Sequence, residues 1–188
     1  MNLAVEKALA IQGWMSPWEL EWLCQMAATR TVIVEVGSWK GRSTKALAMS
    51  TPGVVYAIDH WKGSLGELDK DHQEAVSRGS DWLYGVFRQN LEDEINRMKV
   101  VPIRSESSAA APLLTGMLGH AQADMIFIDA EHSYEAACRD IALYRNFLRP
   151  GGLLAGHDYE PGGPGVIRAV NELVPGFSQG PGSIWFRG

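Results

Sequence analysis

The amino-acid sequence predicts an α/β protein with a doubly wound parallel sheet and helices on both faces. Short β-rich runs alternate with longer helical stretches, which is typical of repeated βαβ units. The first run leads through a loop with two glycines directly into a helix, an arrangement typical of ligand-binding turns in such sheets. Strands are expected at residues 31–36, 54–58, 100–103, 125–128 and 153–155.

The segments between these runs have helical character. Helices are expected at residues 43–49, 81–97, 107–118, 134–148 and 165–173. Before the first strand, Ser16 suits an N-cap and Pro17 the first helical position, so a helix should run to about Ala28. Residues 1–30 are therefore interpreted as an N-terminal helical segment.

Two further segments stand out by composition. Residues 177–187 contain two short β-like pieces around a Gly-Pro-Gly turn, which predicts a terminal hairpin. Residues 61–80 are polar with weak periodicity, and we expect a mobile insert that closes over the active site as a lid.

The overall composition narrows the class of protein. The chain has 188 residues, of which 46% are hydrophobic, and this suits a single domain over 1–188. The formal charge of −5 argues against nucleic acid as a partner. The sequence contains neither an apolar run long enough to cross a membrane nor a signal-peptide pattern, so no membrane partner and a cytoplasmic location are expected.

The glycine loop has the spacing E-x-G-x-x-x-G over residues 35–41. Trp39 stands where dinucleotide-binding loops have their middle glycine, and it would crowd a pyrophosphate. S-adenosylmethionine has no phosphate, and its carboxylate and ammonium suit the loop amides and Glu35. The expected cofactor-binding residues of this loop and the helix after it are Glu35, Gly37, Ser38, Gly41 and Ser43. The alternative is a plain strand-to-helix turn in which Glu35 is only solvated.

The ends of the second and third strands supply further polar groups. Asp59 lies where a ribose diol would bind, and His60 and Trp61 follow it, with Trp61 expected to border the adenine. Ser105 and Glu106 suit the adenine edge, although Ser105 is equally suited to cap the next helix.

These residues resemble the class I S-adenosylmethionine-dependent methyltransferases. The E-x-G-x-x-x-G-x-S loop is similar to that of the metal-assisted, catechol O-methyltransferase-like branch. IDAEHSY at 128–134, RPGG at 149–152, GHDY at 156–159 and PGV at 164–166 resemble the small-molecule and sugar O-methyltransferases that share an I-D-x-x-H-S-Y block. The likeness spans roughly residues 32–170 and implies a Rossmann-like sheet of seven strands whose last strand is antiparallel.

The resemblance also implies a chemistry. Asp129 closes the fourth strand, while His157 and Asp158 close the fifth, and those strand ends are neighbours in a doubly wound sheet. In the metal-assisted family the matching residues hold a divalent metal such as magnesium or manganese. His157 departs from the family's oxygen ligands, so it either shifts the preference toward manganese, zinc or iron or is not a ligand.

A histidine offers a second route to the same reaction. His132 is the expected catalytic base beside Asp129, because an unperturbed imidazole accepts a proton near neutral pH. The competing interpretation is structural, with His132 capping the following helix and Tyr134 packing on the sheet. Glu135 and Asp140 are expected to be exposed helix positions.

The expected function is therefore methyl transfer from S-adenosylmethionine to a hydroxyl of a small molecule. The rivals are an NAD(P)-dependent oxidoreductase of Rossmann type and an inert module that only binds S-adenosylmethionine. A small acceptor, or an acceptor partly enclosed by the second subunit of a homodimer, fits the length of the chain.

Overall fold

A computed structural model describes residues 2–63 and 70–188 of the chain. Its centre is a seven-stranded sheet with the strand order β3-β2-β1-β4-β5-β7-β6. The strands are β1 (Val32–Val36), β2 (Val54–Asp59), β3 (Val100–Arg104), β4 (Ala123–Ile128), β5 (Leu148–Gly156), β6 (Ser178–Gln179) and β7 (Trp185–Arg187). The helices are α1 (Leu3–Leu9), α2 (Pro17–Ala27), α3 (Arg42–Ser50), α4 (Lys70–Arg78), α5 (Ser80–Asn90), α6 (Glu92–Asn96), α7 (Ser107–Leu118), α8 (Tyr134–Tyr144) and α9 (Pro164–Leu173).

The pairing of the strands confirms the predicted fold class. Strands β1 to β5 are mutually parallel, and β7 runs antiparallel to both β5 and β6. The chain order reverses between β1 and β4, so the crevice at their carboxyl ends is the position where doubly wound sheets bind ligands.

Alternate residues of β1 enter two separate cores. Ile33 packs in one cluster with Leu20 and Leu47, whereas Val34 packs in the other with Leu114 and Ile141. Successive side chains of a strand point to opposite faces of the sheet, so helices must cover both faces to bury such an apolar strand. The hydrophobic effect thereby fixes the layered architecture.

The N-terminal helix forms where the sequence predicted it. Ser16 is the N-cap of α2 and Pro17 opens the helix. Glu19 completes a capping box, in which its side chain accepts from the Ser16 amide while the Ser16 hydroxyl accepts from the Glu19 amide. The short helix α1 was not predicted.

Two predicted helices end earlier than expected. The helix expected over 81–97 is divided at Leu91, whose backbone leaves the helical region and whose side chain is fully buried against Gly41. The helix expected over 134–148 ends at Tyr144, followed by a 3₁₀ turn at Arg145–Phe147. Strand β5 begins at Leu148, which pairs with Ala123. The register then shifts before the strand pairs with the rest of β4.

The expected insert at 61–80 lies partly outside the described residues, which omit 64–69. Within the described part, Lys70–Arg78 forms helix α4, and Ser80 begins α5. The lid function stays a prediction. The terminal hairpin is confirmed as β6 and β7, which pair antiparallel around the Gly-Pro-Gly turn. Within residues 2–63 and 70–188, no helix combines the length and apolar character needed to cross a bilayer.

The carboxylate of Asp124 joins the start of β1 to β4. It accepts hydrogen bonds from the backbone amides of Thr31 (2.7 Å) and Val32 (3.0 Å), and Arg149 donates to it at 2.5 Å. Partial burial opposes its ionisation, but these donors outweigh the burial and lower the pKa of Asp124 to about 2.

Because this pKa is lower in the folded state, Asp124 stabilises the protein above its unfolded pKa. We expect stability to fall as the pH drops from about 4 to about 2, with about 1–2 kcal/mol assigned to Asp124 after solvent screening. Urea unfolding of wild type and of Asp124→Asn across this range measures the loss. An identical pH slope in the two proteins would contradict the assignment.

Candidate active site

A large cavity opens at the carboxyl edge of the parallel strands. Its volume is about 1260 Å³, which exceeds the roughly 300–1,000 Å³ of a site for one small ligand. The cavity therefore has room for a cofactor and a second small molecule. The sequence-predicted residues that line it are Gly37, Ser38, Ser43, Asp59, His60, Ser105, Glu106, Asp129, His132, His157 and Asp158. Glu35, Gly41 and Trp61 do not line it.

The strand ends at this edge are held in place by backbone hydrogen bonds that continue the sheet. The Gly37 amide donates to the Ile58 carbonyl at 2.8 Å, and the Asp129 amide donates to the Val36 carbonyl at 2.7 Å. The His157 amide in turn donates to the Ile128 carbonyl at 3.0 Å. The functional side chains are thus positioned by the rigid ladder itself.

Gly37 is required where the loop crosses the end of β4. Its φ is +91°, and a Cβ built on it would lie 1.9 Å from the Asp129 carbonyl oxygen. Any side chain would push the loop away from β4. Gly41 also has positive φ, but it lies at the N-cap of α3 against Leu91, so its role is in packing rather than in lining the cavity.

Asp59 holds the glycine loop. Its Oδ2 accepts from the amides of Ser38 (3.1 Å) and Trp39 (2.9 Å), and its Oδ1 accepts from the Trp61 amide at 2.6 Å. These loop amides are therefore already paired. An anionic group of a ligand would find its donors instead in the first turn of α3, where helix amides have no intrahelical acceptor and where Ser43 lines the cavity.

Glu35 lies behind the loop and is fully buried. Its Oε2 accepts from the hydroxyls of Ser38 (2.8 Å) and Thr44 (2.5 Å). Its Oε1 has no partner, the one such buried side-chain oxygen found within the described residues. Burial raises the pKa of Glu35, so a nearby cation would stabilise its charged form.

Trp61 does not border the cavity as expected. Its side chain is fully buried, packs against Tyr84 and Phe87, and donates from Nε1 to the Trp39 carbonyl at 2.7 Å. It supports the loop from behind, and within the loop it is Trp39 that lines the cavity.

The adenine end of the expected site contains paired charges. Helix α7 begins at Ser107 after Glu106, and Ser105 does not cap it, so that alternative is wrong. Glu106 accepts from Lys62 at 2.6 Å. Asp140 was expected to be exposed, but it is buried, accepts from the Ser107 hydroxyl at 2.7 Å and lines the cavity.

Asp129, His132 and Asp158 form a cluster at the ends of β4 and β5. Each offers one ligand atom, and these atoms all lie within 4.8 Å of one another. His132 Nε2 is 2.9 Å from Asp158 Oδ2. Ser133, not His132, caps α8, so the structural interpretation of His132 as a cap is wrong.

The two carboxylates of the cluster have opposite pKa shifts. Burial raises the pKa of Asp129 to about 7, against the opposing charge of His157. Burial would also raise the pKa of Asp158, but hydrogen bonds from His132 and His157 hold it well below the ordinary value. The pair thus carries more negative charge than its surroundings easily neutralise.

His157 lies between the two acids of the cluster and Glu19. Its Nε2 faces Glu19 Oε1 and the Ser183 hydroxyl, both at 3.0 Å. Burial by itself would lower the pKa of His157, but the surrounding carboxylates, Asp129 first among them, raise it to about 11. The group of ligand atoms that lie within 4.8 Å of one another includes His132 and not His157.

The N-terminal segment forms a wall of the cavity, with side chains that the sequence did not identify. Gly13, Trp14, Trp18 and Glu19 line it. Arg42 holds this segment against α3 by donating to the carbonyls of Ile11 (2.6 Å) and Met15 (3.0 Å). The sequence signal for this wall was the Ser-Pro-x-Glu motif at the start of α2. This motif predicts a helix, but it does not predict which face of the helix packs against the sheet.

Comparisons with known proteins agree with this geometry. Residues 34–159 match the family model described as a methyltransferase domain. An O-methyltransferase from Bacillus cereus in complex with SAH is 18% identical, with a TM-score of 0.64 over 99% of this chain and 90% of that chain. Cofactor-bound Rv0187 from MTB is 19% identical, with a TM-score of 0.66 over 99% and 89% of the two chains.

A third solved structure, the calicheamicin methyltransferase CalS11, is 15% identical with a TM-score of 0.64 and covers 89% of this chain and 76% of that chain. At these identities the likeness shows the fold. The family match extends over most of the chain, from β1 through the end of β5, and includes both the glycine loop and the strand-end cluster. The chain therefore belongs to the methyltransferase-domain family, whose methyl donor is S-adenosylmethionine.

Proposed function

We propose that this chain transfers the methyl group of S-adenosylmethionine to a hydroxyl oxygen of a small molecule. The observation that carries the proposal is the cavity of about 1260 Å³, which contains both the glycine loop and the cluster of Asp129, His132 and Asp158. The loop and the cluster meet where Gly37 lies against the Asp129 carbonyl. A donor on the loop and an acceptor at the cluster would therefore be neighbours.

The residues around the loop fit S-adenosylmethionine. When bound, this cofactor supplies an electrophilic methyl carbon on a sulfonium. The unpaired Glu35 Oε1 provides negative charge behind the loop for the amino-acid ammonium, although Glu35 itself does not line the cavity. Asp59 Oδ1 has lone-pair capacity beyond its bond from Trp61 and is placed to accept from a ribose hydroxyl.

The cluster fits a divalent metal. Two carboxylates and one imidazole are donors that manganese, iron or zinc accept, and the charge of a bound metal would offset the burial that raises the pKa of Asp129. A bound metal would lower the pKa of an acceptor hydroxyl and orient its oxygen. Asp129 and Asp158 would hold it, with His132 as the third donor in place of the predicted His157.

His132 also suits the role of general base. Asp158 only accepts hydrogen bonds when ionised, so His132 Nε2 donates to it. The other ring nitrogen would then take the proton of the acceptor hydroxyl. Asp158 thereby orients the ring, as carboxylates orient catalytic histidines elsewhere. If His132 is a metal ligand, methyl transfer requires the metal. If His132 is the general base, methyl transfer proceeds without it.

The class of acceptor follows from charge and size. The net charge of −5 disfavours nucleic acid, and the lining of the cavity combines three indoles with carboxylates and imidazoles, which suits a small polar ring with hydroxyl groups. The cytoplasmic location and the homodimer expected from the sequence stay predictions.

Replacing Gly37 by Ala should abolish tight binding of S-adenosylmethionine. The added Cβ must displace the loop from β4, and we expect affinity to fall at least about 100-fold. Gly116→Ala is the matched control, because its Cβ meets nothing within 4 Å and should stabilise α7 by about 0.5–1 kcal/mol. Calorimetry with S-adenosylmethionine and with NAD checks both. Heat from NAD alone would indicate the oxidoreductase, and equal affinity in the two variants would overturn the role of the loop.

Replacing His132 by Ala should lower kcat by about 100–10,000-fold, the range for loss of a general base, while the affinity for S-adenosylmethionine stays unchanged. The control is His120→Ala at an exposed position. Methyl transfer is measured with catechol and with a nucleoside-diphosphate hexose as probe acceptors, after chelation and again with added magnesium or manganese.

The metal arm of this experiment separates the two roles. A rate lost on chelation and restored by manganese would support ligation by the cluster, whereas an unchanged rate would exclude a metal. Full activity of His132→Ala would remove His132 from both roles. Binding of S-adenosylmethionine without transfer to any acceptor would indicate the inert module.

A further inference from the structure

Glu19 uses both of its carboxylate oxygens, one on its own helix and one on the active site. Oε2 accepts from the Ser16 amide and hydroxyl at 2.7 Å each, which is the capping box of α2. Oε1 lies 3.0 Å from His157 Nε2 and accepts from the Ser183 amide at 3.0 Å. Its side chain is only 6% exposed.

The direction of the bond to His157 follows from chemistry. An ionised carboxylate only accepts, and Glu19 is ionised because bonds from His157, Ser16 and Ser183 outweigh its burial and lower its pKa to about 2. His157 Nε2 is therefore the donor. The other ring nitrogen, Nδ1, lies 3.3 Å from Asp158 Oδ1 and 3.7 Å from Asp129 Oδ1.

Gly182 leaves room for the Glu19 side chain because it has no side chain of its own. A Cβ on Gly182 would lie 2.1 Å from Glu19 Oε1, and Gly182 has a φ of +60°, which favours glycine. A capping box needs no such neighbour, since a Glu at this helix position satisfies the N-cap amide while its second oxygen faces water. The turn before β7 is thus built around an oxygen that capping alone does not require.

We propose that Glu19 is a positioning residue of the methyl-transfer site. It accepts a hydrogen bond from His157 Nε2. This bond fixes the orientation of the ring and so keeps Nδ1 against the carboxylates of Asp129 and Asp158. With the ring fixed, the two acids point together at the acceptor. The inference rests on the proposed function for its catalytic meaning, and it makes the N-terminal helix a part of the active site.

The test compares four variants with catechol as the probe acceptor. Glu19→Ala removes the bond to His157, and misplaced carboxylates should lower kcat at least about thirtyfold with the KM for S-adenosylmethionine changed less than about twofold. Glu19→Gln keeps one carbonyl oxygen, which can accept from His157 and Ser183, while its NH2 group replaces the oxygen that accepts from Ser16. We therefore expect it to retain at least about a third of kcat and to lower Tm.

Two controls separate positioning from helix capping. Ser16→Ala breaks the capping box but leaves Oε1 on His157, so it should lower Tm as Glu19→Ala does while kcat falls less than about threefold. Glu21→Ala, an exposed position on the same helix, should change neither. Equal losses of kcat in Ser16→Ala and Glu19→Ala, or full activity of Glu19→Ala, would overturn the proposal.

A spectroscopic readout decides the contact without any acceptor. The buried Nε2 proton of His157 should give a slowly exchanging imidazole N–H resonance, assigned by its loss in His157→Asn. It should persist in Glu19→Gln and vanish in Glu19→Ala. Its absence from the wild type, or its persistence in Glu19→Ala, would overturn the proposal. Failure of the proposed function would appear separately, as wild-type protein that binds no S-adenosylmethionine in calorimetry.

Discussion

The close approach of the glycine loop to the end of β4 is the constraint on which the rest of the site depends. Gly37 lies so near the Asp129 carbonyl that the loop and the end of β4 are in direct backbone contact. The same residue continues the sheet by donating to the Ile58 carbonyl. The parallel register of β1 with β2 and β4 therefore fixes the separation of the glycine loop, Asp59 and Asp129 before any ligand binds.

Charge balance is the second constraint, and it explains why two histidines lie beside two acids. Buried carboxylates as close as Asp129 and Asp158 cannot both be ionised without compensation. His157 supplies a fixed cation whose own charge is balanced by Glu19 on the far side. His132, at the more open side of the cluster, supplies a group that can exchange its proton or bind a metal. His157 and Glu19 are thus the more enclosed part of the cluster, and His132 is its more exposed part.

The strand ends were predictable from the sequence, and their side-chain partners were not. Short, nearly continuous apolar runs locate β1, β2 and β4, and a parallel sheet brings the residues after the strands to one edge, so the grouping of Asp59, Asp129 and Asp158 follows from local pattern. The contact of Glu19 with His157 joins residues 138 positions apart, and no local pattern encodes it. Trp61 shows the same limit, since its position after β2 was right while the direction of its side chain was set by packing on Phe87.

The backbone at Asp158 carries the clearest sign that this edge is shaped for function. Asp158 has a φ of +63°, a conformation that L side chains rarely adopt and that costs on the order of 1–3 kcal/mol. Glycine there would relieve the strain, but it would remove the carboxylate that orients His132. The surrounding turn enforces the conformation, because a Cβ on Gly163 would lie 2.3 Å from the Asp158 carbonyl oxygen. A chain that needed only a stable turn after β5 would favour glycine at this position, so the strain is explained by the task of the side chain, which is to hold a carboxylate between two imidazoles at the mouth of the cavity.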